Sequence, residues 1–155
     1  MILSHFPSRN PEDWQFDKNR SFEVYDKDEG ACGKPVGFWL SDEQELGWKT
    51  WCDTESFRKC EHEYKFDVDM TDVLHIKSQS ELRRFDKKWA KPNPNNGGLL
   101  SLYRIDWKKV YGAYKGILIT PYQWSCRYDI NWYYGWDCAS GCFWDISCLT
   151  EIDGE

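Results

Sequence analysis

The run from Trp132 to Asp145 holds six aromatic rings, Trp132, Tyr133, Tyr134, Trp136, Phe143 and Trp144, and sets a single internal carboxylate, Asp137, among them. Rings of this size each bury about 150–250 Å² and also offer flat faces for stacking, so such a segment belongs in a core or in the wall of a pocket. A carboxylate inside it is costly unless it is paired or put to use. Two readings of Asp137 are therefore open. It caps a turn within an aromatic core, or it is a charge tuned for chemistry, which is the working hypothesis.

A chain of 155 residues buries roughly two-thirds of its unfolded surface, enough for an ordinary core without staples, so residues 1–155 are read as a single domain. Lys and Arg number 20 against 26 Asp and Glu, a net charge of −6, which argues against broad attraction to nucleic-acid phosphates. The basic group Arg83, Arg84, Lys87 and Lys88 is read as the solvated face of a helix. The opening Met1–His5 is too short and lacks the basic leader of a secretory signal. No stretch approaches the length of a membrane span. The seven cysteines include no Cys-x-x-Cys pair and do not resemble a zinc site; buried reduced thiols in a cytoplasmic protein are expected, with Cys138 and Cys142 open to cross-linking on oxidation.

Strands are expected at Ile2–His5, at Phe22–Tyr25, at Val36–Leu40 and, from its alternation, at Tyr64–Met70, with Val73–Ile76 continuing the last. Ser41 with Gln44 has the form of a capping box and predicts a helix from there toward Cys52. A second such box, Ser78 with Glu81, introduces Leu82, Phe85 and Trp89 on one helical face, ending before Pro92. Residues 91–98 read as a surface loop. Asp106 is a candidate N-cap for a short helix through Tyr111, and Gly116–Thr120 reads as a buried strand. The sum is a mixed α+β domain, with strands near both ends and helices in the middle.

This order of elements is a strand bearing His5, an aromatic strand entering Ser41, the alternating strand from Tyr64, the Lys115–Ile117 strand and the acid-bearing loop at Asp137. It resembles the ADP-ribosyltransferase fold, and especially its small phage-encoded anti-CRISPR members. The resemblance spans most of the chain on about a dozen positions. It implies a mainly antiparallel split sheet with helices packed on it, and an NAD-dependent mono-ADP-ribosyltransferase that modifies a protein or nucleic-acid target, acting in the host cytoplasm if phage-encoded. Carried over residue by residue, it implies that His5, with Arg9 as a nearby substitute, holds a ribose of NAD. Phe38, Trp39 and Ser41 form the aromatic and hydroxyl element, and Asp137 is the late acid. The chain departs from the pattern in lacking a Glu-x-Glu pair and a His-Gly, and in having Trp39 where many members have Tyr.

The chemistry gives its own reason for such residues. Breaking the nicotinamide–ribose bond develops positive charge on the sugar, as glycoside cleavage does, and a nearby carboxylate stabilises that charge preferentially. On this chemistry Asp137 would supply that carboxylate, with His5 holding ribose hydroxyls and Trp39 and Trp136 enclosing the nicotinamide, while the resemblance implies that Arg9, Phe38 and Ser41 complete the NAD-binding set. His5 equally reads as a strand-end histidine satisfied by backbone, and Ser41 as a simple N-cap. His62 reads as an exposed strand entry and His75 as a core or edge residue; neither has a metal-binding context, so no metal is expected. Hydrolase elbows and glycine-rich phosphate loops do not occur. The alternative is a non-catalytic, acidic, aromatic-rich protein that inhibits a partner by direct contact, with exposed Trp and Tyr as anchors. Burial discriminates the two: catalysis needs His5, Ser41 and Asp137 on one cleft, a binding module needs several tryptophans exposed together.

Overall fold

In the computed structural model, which describes residues 1–8, 13–23, 33–92 and 103–153, nine strands and three helices alternate along the chain. They are β1 (Ile2–His5), β2 (Phe38–Ser41), α1 (Trp48–Thr54), β3 (Tyr64–Val68), β4 (Val73–Ile76), α2 (Gln79–Trp89), β5 (Ala90–Pro92), β6 (Tyr103–Ile105), α3 (Trp107–Ala113), β7 (Gly116–Ile119), β8 (Ser140–Phe143) and β9 (Leu149–Ile152). Seven strands form one curled sheet in the order β4-β7-β8-β2-β1-β3-β9, and β5 pairs with β6 in a separate hairpin. Only β4 and β7 run parallel; the other pairings are antiparallel. The sheet is split near its middle. β2 meets β8 over four register pairs and β1 meets β3 over four, whereas β1 and β2 share the single pair Ser4–Ser41.

Alternation along the strands sends apolar side chains into two layers. Ile117 and Ile119 of β7 join Leu82 and Phe85 of α2, Trp107 and Val110 of α3, and the late rings Trp132, Tyr133, Trp136 and Trp144 on one face. Leu118 of β7 joins Leu3, Phe38, Leu40, Phe66 and Phe143 on the other. The aromatic C-terminal segment is therefore mostly core: Trp132, Tyr133 and Trp136 lie in a short 3-10 turn and its cap, and β8 follows directly. Gly141 of β8 permits this packing, because a Cβ there would stand 2.7 Å from the Ile117 carbonyl oxygen.

The helix signals at Ser78 and Asp106 hold. Ser78 accepts from the Glu81 amide at the start of α2, and Asp106 accepts from the Lys109 amide at the start of α3, which runs to Ala113, beyond the expected Tyr111. The Glu81 carboxylate accepts from the Lys77 amide rather than the Ser78 amide. Arg83, Arg84, Lys87 and Lys88 are all exposed.

Several expectations need correction. Ser41 does not start a helix: it pairs with Ser140 and the Asp42 amide bonds the Ala139 carbonyl, so the strand runs through Ser41, a turn follows at 43–46, and α1 begins only at Trp48. Val73–Ile76 does not continue β3 but crosses to the far edge to pair with β7. Phe22 and Glu23 are not in a strand, and Val24 and Tyr25 lie outside the described residues. Strands and helices interleave rather than separating to ends and middle; of the expected loop 91–98, Lys91 and Pro92 belong to β5 and the rest lies outside the described residues, and β6, β8 and β9 carry no expected counterpart, Ser140–Phe143 being buried throughout without alternation.

Candidate functional site

Where β1 and β2 diverge from the Ser4–Ser41 pair, the sheet leaves a cavity of about 300 Å³. Ser4, His5, Lys34, Trp39, Ser41, Trp48, Arg58, Trp136, Asp137 and Ser140 are among its lining residues. His5, Ser41 and Asp137, separated by as much as 132 positions in the chain, thus reach one concave site. Trp39 and Trp136 meet edge to face in its wall, with ring centres 4.9 Å apart.

Each residue arrives for a local reason. Ser41 and Trp39 alternate with Leu40 and Phe38 along β2, so the first pair faces the cavity and the second enters the opposite core layer. Phe38 is therefore not brought to the cavity. It stacks on the His5 ring, centre to centre 4.5 Å, and Trp14 leans on the same imidazole at 5.0 Å. His5 Nδ1 lies 3.0 Å from the Trp39 carbonyl oxygen, which makes Nδ1 the donor and fixes the neutral tautomer. Burial holds His5 below the usual histidine range; the bond to Trp39 opposes that shift, and the positive charges of Arg58 and Arg20 add to it. His5 thus lines the site and also satisfies a backbone carbonyl at the split. Arg9 lies outside the described residues.

Asp137 follows the turn that buries Trp136, and its carboxylate is about a quarter exposed, with Oδ1 3.5 Å from Arg127 Nη2. Among the described residues its second oxygen has no protein hydrogen bond. Arg127 also donates to the Tyr122 hydroxyl at 2.7 Å, and that hydroxyl donates to the Trp136 carbonyl at 2.6 Å, so two side chains, Arg127 and Tyr122, hold the Trp136–Asp137 segment. The Trp136 indole N–H is buried without a partner. Cys138, also in the wall, is pushed up to about 12 by burial, which keeps it a neutral thiol rather than a nucleophile.

Several lining residues were not singled out in the sequence. Arg58 donates to the Phe6 and Pro7 carbonyls at 2.7 and 3.1 Å and lies over the Trp48 ring, and Lys34 lies over Trp39. Ser4 donates to Glu63 at 2.6 Å, and Ser41 donates to Glu43 at 2.5 Å. The Glu43 carboxylate rests on Gly47, where any Cβ would come within 2.5 Å of it. Of these, only Ser4 had a sequence signal, its place beside His5 in a strand.

No family model, curated protein or solved structure matches the chain. The site stands on its own geometry. Of the ten tryptophans, Trp124 alone is classed as exposed. His75 is half-buried on the edge strand β4, with Nε2 3.3 Å from the Thr120 carbonyl, and burial lowers its pKa. The six described cysteines are buried and free; Cys32 lies outside the described residues. Among the described residues no three His, Cys, Asp or Glu side chains group as metal ligands, and no helix is long and apolar enough to cross a membrane.

Proposed function

We propose that this chain is an NAD-dependent mono-ADP-ribosyltransferase that modifies a protein or nucleic-acid target, as a phage or mobile-element effector acting in a host cytoplasm. The observation that carries the reading is the convergence of His5, Ser41 and Asp137 on one cavity walled by Trp39 and Trp136. The split sheet with helices packed on it supports the ADP-ribosyltransferase-like fold. The cavity volume is at the lower end of ligand pockets, which suits an aromatic ring with its sugar, and the cations Lys34 and Arg58 beside it suit phosphates.

When bound, NAD supplies a ribose–nicotinamide bond whose cleavage leaves positive charge on the sugar while the electron pair departs with nicotinamide. Asp137 would oppose that charge with its unbonded carboxylate oxygen, and Arg127 keeps the group in place through the other. Trp39 and Trp136 would restrict the ring and exclude water. His5, neutral and with Nδ1 committed to Trp39, retains Nε2 as an acceptor for a ribose hydroxyl. The acceptor's nucleophile would then bond to the sugar carbon and give its proton to water.

The rival reading, a binding module anchored by exposed Trp and Tyr, has Trp124, Tyr128 and Tyr134 exposed in its favour, but the several tryptophans exposed together that it calls for reduce to Trp124. Calorimetric titration of the full chain with NAD separates the two. Saturable binding that His5→Ala weakens is expected; absence of heat at millimolar NAD would reject the enzyme reading.

A further inference from the structure

Ser4 and Ser41 are directly opposite each other in the one pair that joins the halves of the sheet. Opposed residues of an antiparallel pair project from the same face, with Cβ atoms about 5 Å apart, and both serines line the cavity while remaining almost wholly buried. A serine hydroxyl has one proton and two lone pairs. The Ser4 proton goes to the Glu63 carboxylate, and the Ser41 proton goes to the Glu43 carboxylate, the nearer of its two acceptors, since the Ser4 carbonyl lies at 3.4 Å. Both hydroxyl oxygens are thereby left to a ligand only as acceptors.

We propose that this pair of serines is a subsite for a neutral hydrogen-bond donor group, a carboxamide NH2 above all, and that Glu43 and Glu63 are the specificity-determining residues that impose the preference. An amide nitrogen carries two protons and meets two oppositely placed acceptors. A carboxylate at the same place meets lone pairs on both serines with two acidic side chains directly behind them. Glu43 is itself fixed, resting on Gly47 and accepting from the Lys49 amide at 3.4 Å, so it does not swing away to relieve the repulsion. Lys34 and Arg58 line the same cavity and attract anions, but their guanidinium and ammonium groups lie over the Trp48 and Trp39 rings. The two serines would thus take an uncharged donor group, while Lys34 and Arg58 of the same cavity are the groups that would take an anionic one.

The inference rests on the NAD reading, in which the carboxamide is that of the nicotinamide ring. Its test compares NAD with deamidated NAD, in which a carboxylate replaces the amide and nothing else changes, by calorimetry on the full chain. NAD should bind at least about tenfold more tightly, the kind of discrimination a site built around specific hydrogen bonds achieves. Glu43→Gln and Glu63→Gln, checked for folding by thermal melting, should each narrow the ratio, and Ser4→Ala serves as a second route to the same loss. Equal affinity for the two dinucleotides, or tighter binding of the acid, would overturn this inference and leave the NAD site standing. Binding of neither would overturn both.

Discussion

Thr120 and Asp42 form a buried contact between two strand ends that frame the site, and its removal has a calculable cost. Thr120 Oγ1 donates to Asp42 Oδ2 at 2.8 Å, and both residues are about 95 % buried. The other carboxylate oxygen accepts from the Gln44 amide, so this acid shapes the turn between Ser41 and α1. Thr120→Val preserves shape and removes the donor, leaving a buried carboxylate oxygen unpaired. A hydrogen bond to a charged group contributes about 1.5–3 kcal/mol, so a loss of about 2 kcal/mol is expected. For a chain of this length about 2 kcal/mol corresponds to a fall in Tm of roughly 6 °C. Thr120→Ser, which keeps the hydroxyl, should recover most of the loss. Urea unfolding monitored by tryptophan fluorescence measures both variants. A Thr120→Val protein within about 0.5 kcal/mol of the parent, the ordinary range of harmless substitutions, would show that the contact does not hold the turn.

Further outcomes follow from other contacts. His5 and His75 both have lowered pKa values, burial being the main cause. The unfolded chain then binds protons more readily, so their contribution is full above the unfolded value of about 6.5 and is lost as pH falls through the folded values. Thermal midpoints should drop between about pH 7 and 5, with a shallower slope in His5→Asn; an unchanged slope in that variant would exclude His5 as a source. Gly141→Ala places a Cβ 2.7 Å from the Ile117 carbonyl and should destabilise by about 1–3 kcal/mol, as overpacking does, whereas parental stability in denaturant would contradict the close β7–β8 approach. Arg127→Ala frees the Trp136–Asp137 segment and should slow NAD cleavage roughly tenfold to a hundredfold, the scale of a small misplacement, with affinity less affected and partial rescue by Arg127→Lys. Unaltered turnover would remove Arg127 as a positioning residue.

The legible parts of the chain were those in which local chemistry decides. Ser78 and Asp106 specify helix starts by hydrogen bonds within four residues, and the alternation from Tyr64 marks one buried strand face. Ser41 misled because the same hydroxyl chemistry suits a cap or a strand end. Its pairing with Ser4 and Ser140 is made by residues 37 and 99 positions away, and tertiary contact won. A turn does separate Val73–Ile76 from β3, with Asp69 accepting from the Thr71 amide and hydroxyl, but nothing local tells that the chain then crosses to pair with β7. At the site, His5, Ser41 and Asp137 were singled out by residue type alone, and the cavity brings them together. The contacts of Glu43 and Glu63 with the serines were not: Glu63 meets Ser4 across 59 positions, and Glu43, although only two residues from Ser41, lies where the capping-box reading assigned the serine hydroxyl to a helix start instead.

Nicotinamide release from NAD by the parent and by Asp137→Asn tests most directly whether the cavity is a catalytic NAD site. The substitution keeps the shape of the side chain and removes only its charge, which matters when positive charge develops on the ribose. Asp137→Asn should bind NAD nearly as the parent does and turn it over roughly a hundredfold more slowly, the loss typical of one electrostatic stabiliser. Equal rates of nicotinamide release by the two proteins, or none from the parent, would contradict the assignment of Asp137 as the catalytic acid group of this site.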